Sequence, residues 1–468
     1  LTLKNLLGLK FSLFQHEVTM SFPRLRFFTL IFALLLPLQA GAYSLLTHEQ
    51  LVDLTWHDSI VPLLLSHYPN LTDAQLDEAR AFAYGGCVIQ DIGYYPFGDR
   101  GFSNLTHYVR TGDFVVSLFR NAQSADELAF AIGALSHYIG DTIGHPGATN
   151  LAVPIEFPSL GVKYGKTVNY AEGKRQHVQV EFAFDIDEIA HRRVAPLPYL
   201  RHIGLKVSMR QLALAYYQTY GLTDDFLRFR RRSFNVPAYR FATRAFIPRI
   251  AYALTLLHRK HEPTEPDSKV RSDYDQQVAA MAGVDNWDSY RHHAGIGTYM
   301  LAGLIFILPK VGPIKLVAIK GPSEETEEEY LQSVVASVAA LQRDVVRFTV
   351  PADAGNAHPR PLPPRRHPLP NRDLDTGNVV QPGGYPLTDS TYAELLHRLV
   401  MDTTQKIPPG IKEDIQAYYA NPELPFTTKK NEAAWAQVQA DLAKLATMPA
   451  SSEPEPYPTY GNDVADSE

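Results

Sequence analysis

Between residues 45 and 260, apolar positions recur at helical rather than strand intervals. Leu51, Leu54, Ile60, Leu64 and Leu65 form one such series. Ser124 and Glu127 read as a capping pair, followed by Leu128, Phe130, Ile132, Leu135 and Ile139. Residues 174–192 and 203–220 are further helical candidates. Few stretches alternate as strands do. Gly85-Gly86, Tyr95-Pro96 and Gly98 to Gly101 predict a long irregular segment between helices. The pattern therefore predicts an all-α, multi-helix domain over residues 43–262.

The chain changes character near Glu262 to Pro266, a connector by composition. Residues 263–350 read as a helical extension. Within it, residues 294–308 form an apolar stretch that stops at Pro309, too short to span a bilayer, which needs about 20 apolar residues. A buried helix is the expectation, a shallow membrane contact the other reading. Residues 351–384, rich in Pro, Arg, Gly and Asn, read as a linker. Residues 385–448 look helical again, with a split near Pro408-Pro409-Gly410. Residues 449–468, acidic and proline-bearing, read as a disordered tail.

The N-terminus reads as an address. Arg24 and Arg26 precede an apolar run from Phe27 to Leu36, and Ala40-Gly41-Ala42 closes it. This predicts a signal peptide over residues 20–42, cleavage after Ala42, and a secreted or periplasmic mature chain starting at Tyr43. Residues 1–19 would be an over-extended start.

Composition narrows the chemistry. Among 468 residues, 44 basic against 50 acidic side chains leave a formal charge of −6, which argues against a general grip on nucleic acid. The single cysteine, Cys87, excludes an intrachain disulfide framework and a multi-cysteine zinc site. Histidines are numerous, 17 in all, and their placement is more informative than their number.

His137, Asp141 and His145 follow one another at i, i+4 and i+8. On a helix these lie along one face, drifting about 40° per step. A lone histidine on a surface needs no metal. Three such groups inside an otherwise apolar helix are costly to bury without a shared partner. His177 and Glu181 form a second i, i+4 pair, with Asp185 on the same face as a carboxylate that could orient His177. Asp91 and His107 fall in irregular sequence around an aromatic stretch, and His48 follows shortly after the predicted mature start. Five imidazoles and three carboxylates with no thiolate suit zinc among the divalent metals. They are too many for one tetrahedral ion and fit a cluster of two or three, whose physical use is phosphoryl displacement.

This order of motifs resembles the zinc-dependent phospholipase C family, whose relatives include the fungal single-strand nucleases and the N-terminal domain of glycosylphosphatidylinositol-specific phospholipase D. The resemblance covers roughly residues 43–195. It implies an all-α catalytic domain with Asp91, His107, His137 and Asp141 on a first zinc, and His145, His177 and Glu181 on a second. Asp141 would bridge to a third zinc completed by His48 and the α-amine and carbonyl of Tyr43. At that first mature position the phospholipase C pattern has Trp, with a longer gap before the His. The resemblance further implies a secreted phosphodiesterase in which zinc activates a water toward phospholipid head groups, Asp91 orienting or deprotonating that water, with peripheral membrane contact. Two alternatives stand beside it: a single-strand-type nuclease on the same scaffold, for which Arg228 to Arg232 could grip phosphates, and a non-catalytic zinc-stabilised envelope protein.

Overall fold

The computed structural model describes residues 45–95, 98–223, 240–241, 243–244, 247–258, 268–291, 296–307, 321–346, 369–401, 407–408 and 410–449. The expected signal peptide, Tyr43, the basic run at Arg228 to Arg232 and the acidic tail from residue 450 lie outside them.

Among the described residues the fold is all-α, and an isolated β-bridge joins Arg372 to Val379. The helices used below are α1 (Leu45–Thr55), α2 (Asp73–Gly86), α3 (Arg100–Tyr108), α4 (Thr111–Asn121), α5 (Ala125–Gly144), α6 (Tyr170–Ala190), α7 (Met209–Tyr220), α8 (Ile247–His258), α9 (Lys269–Val284), α10 (Ile296–Ile307), α11 (Glu324–Val345) and α12 (Pro386–Met401).

Helix α5 is the axis of the molecule. It is apolar on every side and buried along almost its whole length, as expected of a helix packed all round. Its start is as predicted in kind but shifted in detail. Ser124 Oγ accepts from the Glu127 amide at 3.2 Å, whereas the Glu127 carboxylate reaches back to the Gln123 amide at 2.7 Å. Helix α2 packs along α5, and α4, α11 and α1 pack around the remainder. Each fully buried Leu, Ile or Phe on α5 stabilises this arrangement by roughly 1.5–3 kcal/mol.

The pair Gly85-Gly86, expected in irregular sequence, instead closes α2. A Cβ on Gly86 would lie 2.0 Å from the Phe130 carbonyl oxygen, and one on Gly133 would lie 2.1 Å from that of Ala83. The two backbones touch because neither residue has a side chain. That approach brings the end of α2 against the part of α5 that carries His137.

Other boundaries moved. His107 sits on α3 rather than in irregular sequence, and Asp91 occupies a short 3-10 turn, Gln90–Gly93. The helix expected over 203–220 begins only at Met209, as α7; a separate short helix, Leu197–Ile203, ends before it at Gly204, which has φ +87°. Helix α6 starts at a reciprocal cap between Asn169 and Glu172 and kinks at Gly173.

The C-terminal additions are built onto the helical domain that precedes them. Helix α11 meets α1 through Tyr330 Oη, 3.0 Å from Thr47 Oγ1. Arg193 ties Glu188, at the end of α6, to Glu327 on α11 and Asp275 on α9. The linker expected over 351–384 is corrected from residue 369 onward: Leu369, Asp373, Leu374 and Asp375 are buried, and the loop they form packs beside α3 and α5. Composition misled because the Pro, Gly and Asn there serve a tight turn. Helix α10 is only half buried. Leu301, Ala302 and Ile305 face α8 and the core, while Phe306 and Ile307 are 75% and 78% exposed.

Candidate metal centre

Seven of the expected ligands converge in two groups, and an eighth, His48, joins the first. All eight side chains are buried. The first group draws on α1, the turn at Asp91, α3 and α5. Asp141 is its hub. Oδ1 faces His48 Nε2 at 3.3 Å, and Oδ2 faces His137 Nε2 at 3.0 Å and His107 Nε2 at 3.6 Å. Asp91 Oδ1 lies 3.2 Å from His107 Nε2. The second group joins the end of α5 to α6: Glu181 Oε1 is 2.9 Å from His177 Nε2 and 3.6 Å from His145 Nε2. The face predicted from i, i+4, i+8 spacing is thus real but divided, with His137 and Asp141 in one group and His145 in the other.

Backbone carbonyls fix the rings. His107 Nδ1 donates to Ser103 O at 2.8 Å, His137 Nδ1 to Cys87 O at 2.9 Å and His145 Nδ1 to Leu374 O at 2.6 Å. With the proton held on Nδ1, each Nε2 presents a lone pair to its group, the tautomer a metal ligand requires. Cys87, at the end of α2, contributes only its carbonyl here. The Leu374 carbonyl lies outside anything the sequence pattern pointed to.

Those inward atoms have no protein hydrogen bond. His107, His137, His145 and His177 Nε2, Asp91 Oδ1, both oxygens of Asp141 and both of Glu181 are buried with no hydrogen bond to the rest of the protein, the nearest polar neighbours of most of them being the other ligand atoms of their own group. Buried polar groups are ordinarily satisfied, and each orphan costs about 1–3 kcal/mol. So many orphans aimed at the same two points fit bound cations. Nitrogen and carboxylate donors without sulfur, in two multi-ligand groups, fit zinc.

The electrostatics agree. Burial lowers His137, but the Asp141 and Asp91 carboxylates outweigh it and push it up to about 9. Burial raises Asp141, yet the His137 and His48 imidazoles hold it well below the usual carboxylate range. Burial pushes Glu181 well up, and the Asp91, Asp141 and Asp375 charges push it further. Burial and the neighbouring His145 hold His177 well below its ordinary value.

Asp185 takes a role other than orienting His177. Its Oδ2 accepts from the Leu46 amide and its Oδ1 from the Thr47 amide, each at 3.2 Å, with Thr47 Oγ1 adding a bond at 3.1 Å. It caps the open N-terminus of α1 and so sets the position of His48, one residue on. A separate cluster of Asp187, His191 and Glu327 surrounds the Arg193 guanidinium, 3.5 Å from Asp187 and 3.2 Å from Glu327, which supplies its positive charge.

Residues 47–224 match the zinc dependent phospholipase C family. The matched segment holds all eight of these side chains. No curated protein and no solved structure matches the chain.

Proposed function

We propose that the protein is a zinc-dependent phosphodiester hydrolase acting on phospholipid head groups. The observation that carries this reading is the set of buried, orphaned donor atoms aimed into two adjacent groups. Asp91, His107, His137 and Asp141 would hold one ion, and His145, His177 and Glu181 a second. Asp141 Oδ1, His48 and the amine of Tyr43 in the mature chain would hold a third. Bound zinc supplies Lewis acidity, activating water and neutralising phosphate oxygens. The chain's own work is to hold the imidazoles in one tautomer, to keep Asp141 anionic and shared, and to offer Asp91 as the carboxylate that orients the attacking water and takes its proton.

Export belongs to the same reading. A free α-amine near His48 exists only after cleavage at Ala42, so we place the mature enzyme outside the cytoplasm. A lipid substrate is supported by the exposed apolar face of α10, which carries no charged residue and is flanked in sequence by Arg291, Lys310, Lys315 and Lys320. Apolar residues between basic flanks suit an anionic lipid surface. Among the described residues no helix is long and apolar enough to cross a membrane; the contact in this reading is peripheral.

The test is metal analysis of the mature chain, then assay on phosphatidylcholine, a chromogenic phosphodiester and single-stranded DNA, with His137→Ala and Glu181→Ala beside the wild type. Zinc-dependent release of the lipid head group that both variants lose is the expected result. Cleavage of DNA alone would replace the lipid reading with a nuclease, and full activity in both variants would remove the catalytic assignment.

A further inference from the structure

The loop at residues 369–380 lies well beyond the segment matched to the family, yet it touches both metal groups through one residue. The Leu374 amide donates to the carbonyl of His107 at 2.9 Å, and the Leu374 carbonyl accepts from Nδ1 of His145 at 2.6 Å. The next residue, Asp375, is a buried carboxylate. Its Oδ2 accepts from Tyr108 Oη at 3.0 Å and Tyr385 Oη at 2.5 Å, and its Oδ1 lies 3.9 Å from His145 Nδ1. Its own backbone carbonyl accepts from Asn150 Nδ2 at 2.8 Å.

The loop is fastened on both sides of Asp141 along α5. Tyr138 Oη donates to the Pro370 carbonyl at 2.8 Å. Gly377, at φ +70°, packs so closely that a Cβ there would lie 2.4 Å from the Thr142 carbonyl oxygen. Asp373 closes the turn by accepting from the Thr376 amide at 2.8 Å. The Arg372–Val379 bridge holds its two arms together.

Burying a carboxylate is costly unless it is hydrogen-bonded and near positive charge. Two tyrosine hydroxyls stabilise one oxygen of Asp375, and the other faces the imidazole whose far nitrogen points into the second group. The Leu374 carbonyl fixes the ring through Nδ1, and the Asp375 charge 3.9 Å from the same nitrogen favours that orientation and raises the basicity of the imidazole. We infer that the loop is part of the metal centre and that Asp375 is a positioning residue for His145, supplied by the C-terminal region. The inference rests on the zinc reading above.

The experiment uses the full chain. Wild type, Asp375→Asn, Asp375→Ala and Tyr385→Phe are loaded with zinc, titrated against a chromogenic chelator, and melted in their metal-free forms. Asp375→Asn is isosteric and keeps hydrogen bonds to the tyrosines, so it separates charge from packing. The expected result is one zinc equivalent weakened by about 10–100-fold in Asp375→Asn, as for other outer partners of ligating imidazoles. The remaining equivalents and the metal-free melting temperature should stay at wild-type values, with Tyr385→Phe shifted the same way by less. Wild-type retention of every equivalent in both Asp375 variants would overturn the loop's role. So would uniform loss of all equivalents with a fall in metal-free melting, since that marks a purely structural loop. A wild-type chain that binds no zinc would instead sink the metal reading, and this inference with it.

Discussion

His48 Nε2 lies 3.3 Å from Oδ1 of Asp141, while the other oxygen of the same carboxylate faces His137 and His107. One side chain therefore serves two sets of imidazoles. Asp141→Asn should release more zinc per chain than His48→Ala, because it removes charge from both sets. Its loss of affinity should exceed the roughly 10–100-fold typical of an outer partner. Atomic absorption on dialysed protein decides this. Equal losses from the two variants would show that Asp141 is not shared.

Metal uptake should release protons. In the metal-free chain His137 is pushed up to about 9 and is charged at neutral pH, and Glu181 is raised by burial and by the acidic residues around it. Ligands must be deprotonated to bind. Zinc affinity should therefore climb as pH rises toward about 9 and level off above it. Calorimetry in buffers of differing ionisation enthalpy measures the protons released. An uptake independent of buffer would contradict the ionisation described for His137.

The contact between α2 and α5 should tolerate no added atom. Gly133→Ala places a Cβ 2.1 Å from the Ala83 carbonyl oxygen. The expected destabilisation is about 1–3 kcal/mol or more, the usual cost of forced overpacking. Urea unfolding reads it, and an unchanged midpoint would mean that the helices separate freely.

Asp285 offers a check on acid stability away from the metal groups. Burial raises it, but hydrogen bonds from His57 and Arg80, each at 2.8 Å, bring it down to about 2. Its folded value is below its unfolded one. Its contribution, roughly 1–2 kcal/mol, is therefore complete above about pH 4 and disappears as pH falls toward 2. Asp285→Asn should lower the melting temperature at pH 7, and the gap to wild type should narrow below pH 4. A gap that stays constant with pH would assign the effect to packing.

Helix α10 should govern lipid contact. Phe306→Ser with Ile307→Asp should abolish co-sedimentation with anionic vesicles while leaving hydrolysis of a soluble phosphodiester at wild-type level. Both side chains are exposed, so the fold has little to lose. Unaltered vesicle binding would remove α10 from that role.

The helical fold and the ligand groups were largely legible in the sequence, because both are periodic. His137, Asp141, His177 and Glu181 announce themselves by i, i+4 spacing, and α5 by its caps and continuous apolar run. Three features were not legible. Gly85 and Gly86 looked like loop residues because a glycine that permits close helix contact has the same local signature as one that breaks a helix. Asp185 shares a face with His177, and periodicity could not reveal that α1 brings its open end there. The loop at 369–380 looked like linker because its burial comes entirely from contacts distant in sequence. A clue was present in Asp373, Asp375 and Tyr385, acidic and aromatic residues among the prolines, but only the fold gives them partners.

The bond between His145 and Leu374 spans 229 residues. Chains emerge from the ribosome N-terminus first. The nascent chain therefore contains every imidazole and carboxylate of both groups long before it contains the carbonyl that orients one of them. The arrangement described above cannot form until the chain has been synthesised well past His145, as far as Leu374. Loading with cations in this geometry is consequently a late event in the protein's maturation, and a ribosome stalled before Leu374 would display a nearly complete donor set in an unfinished cradle.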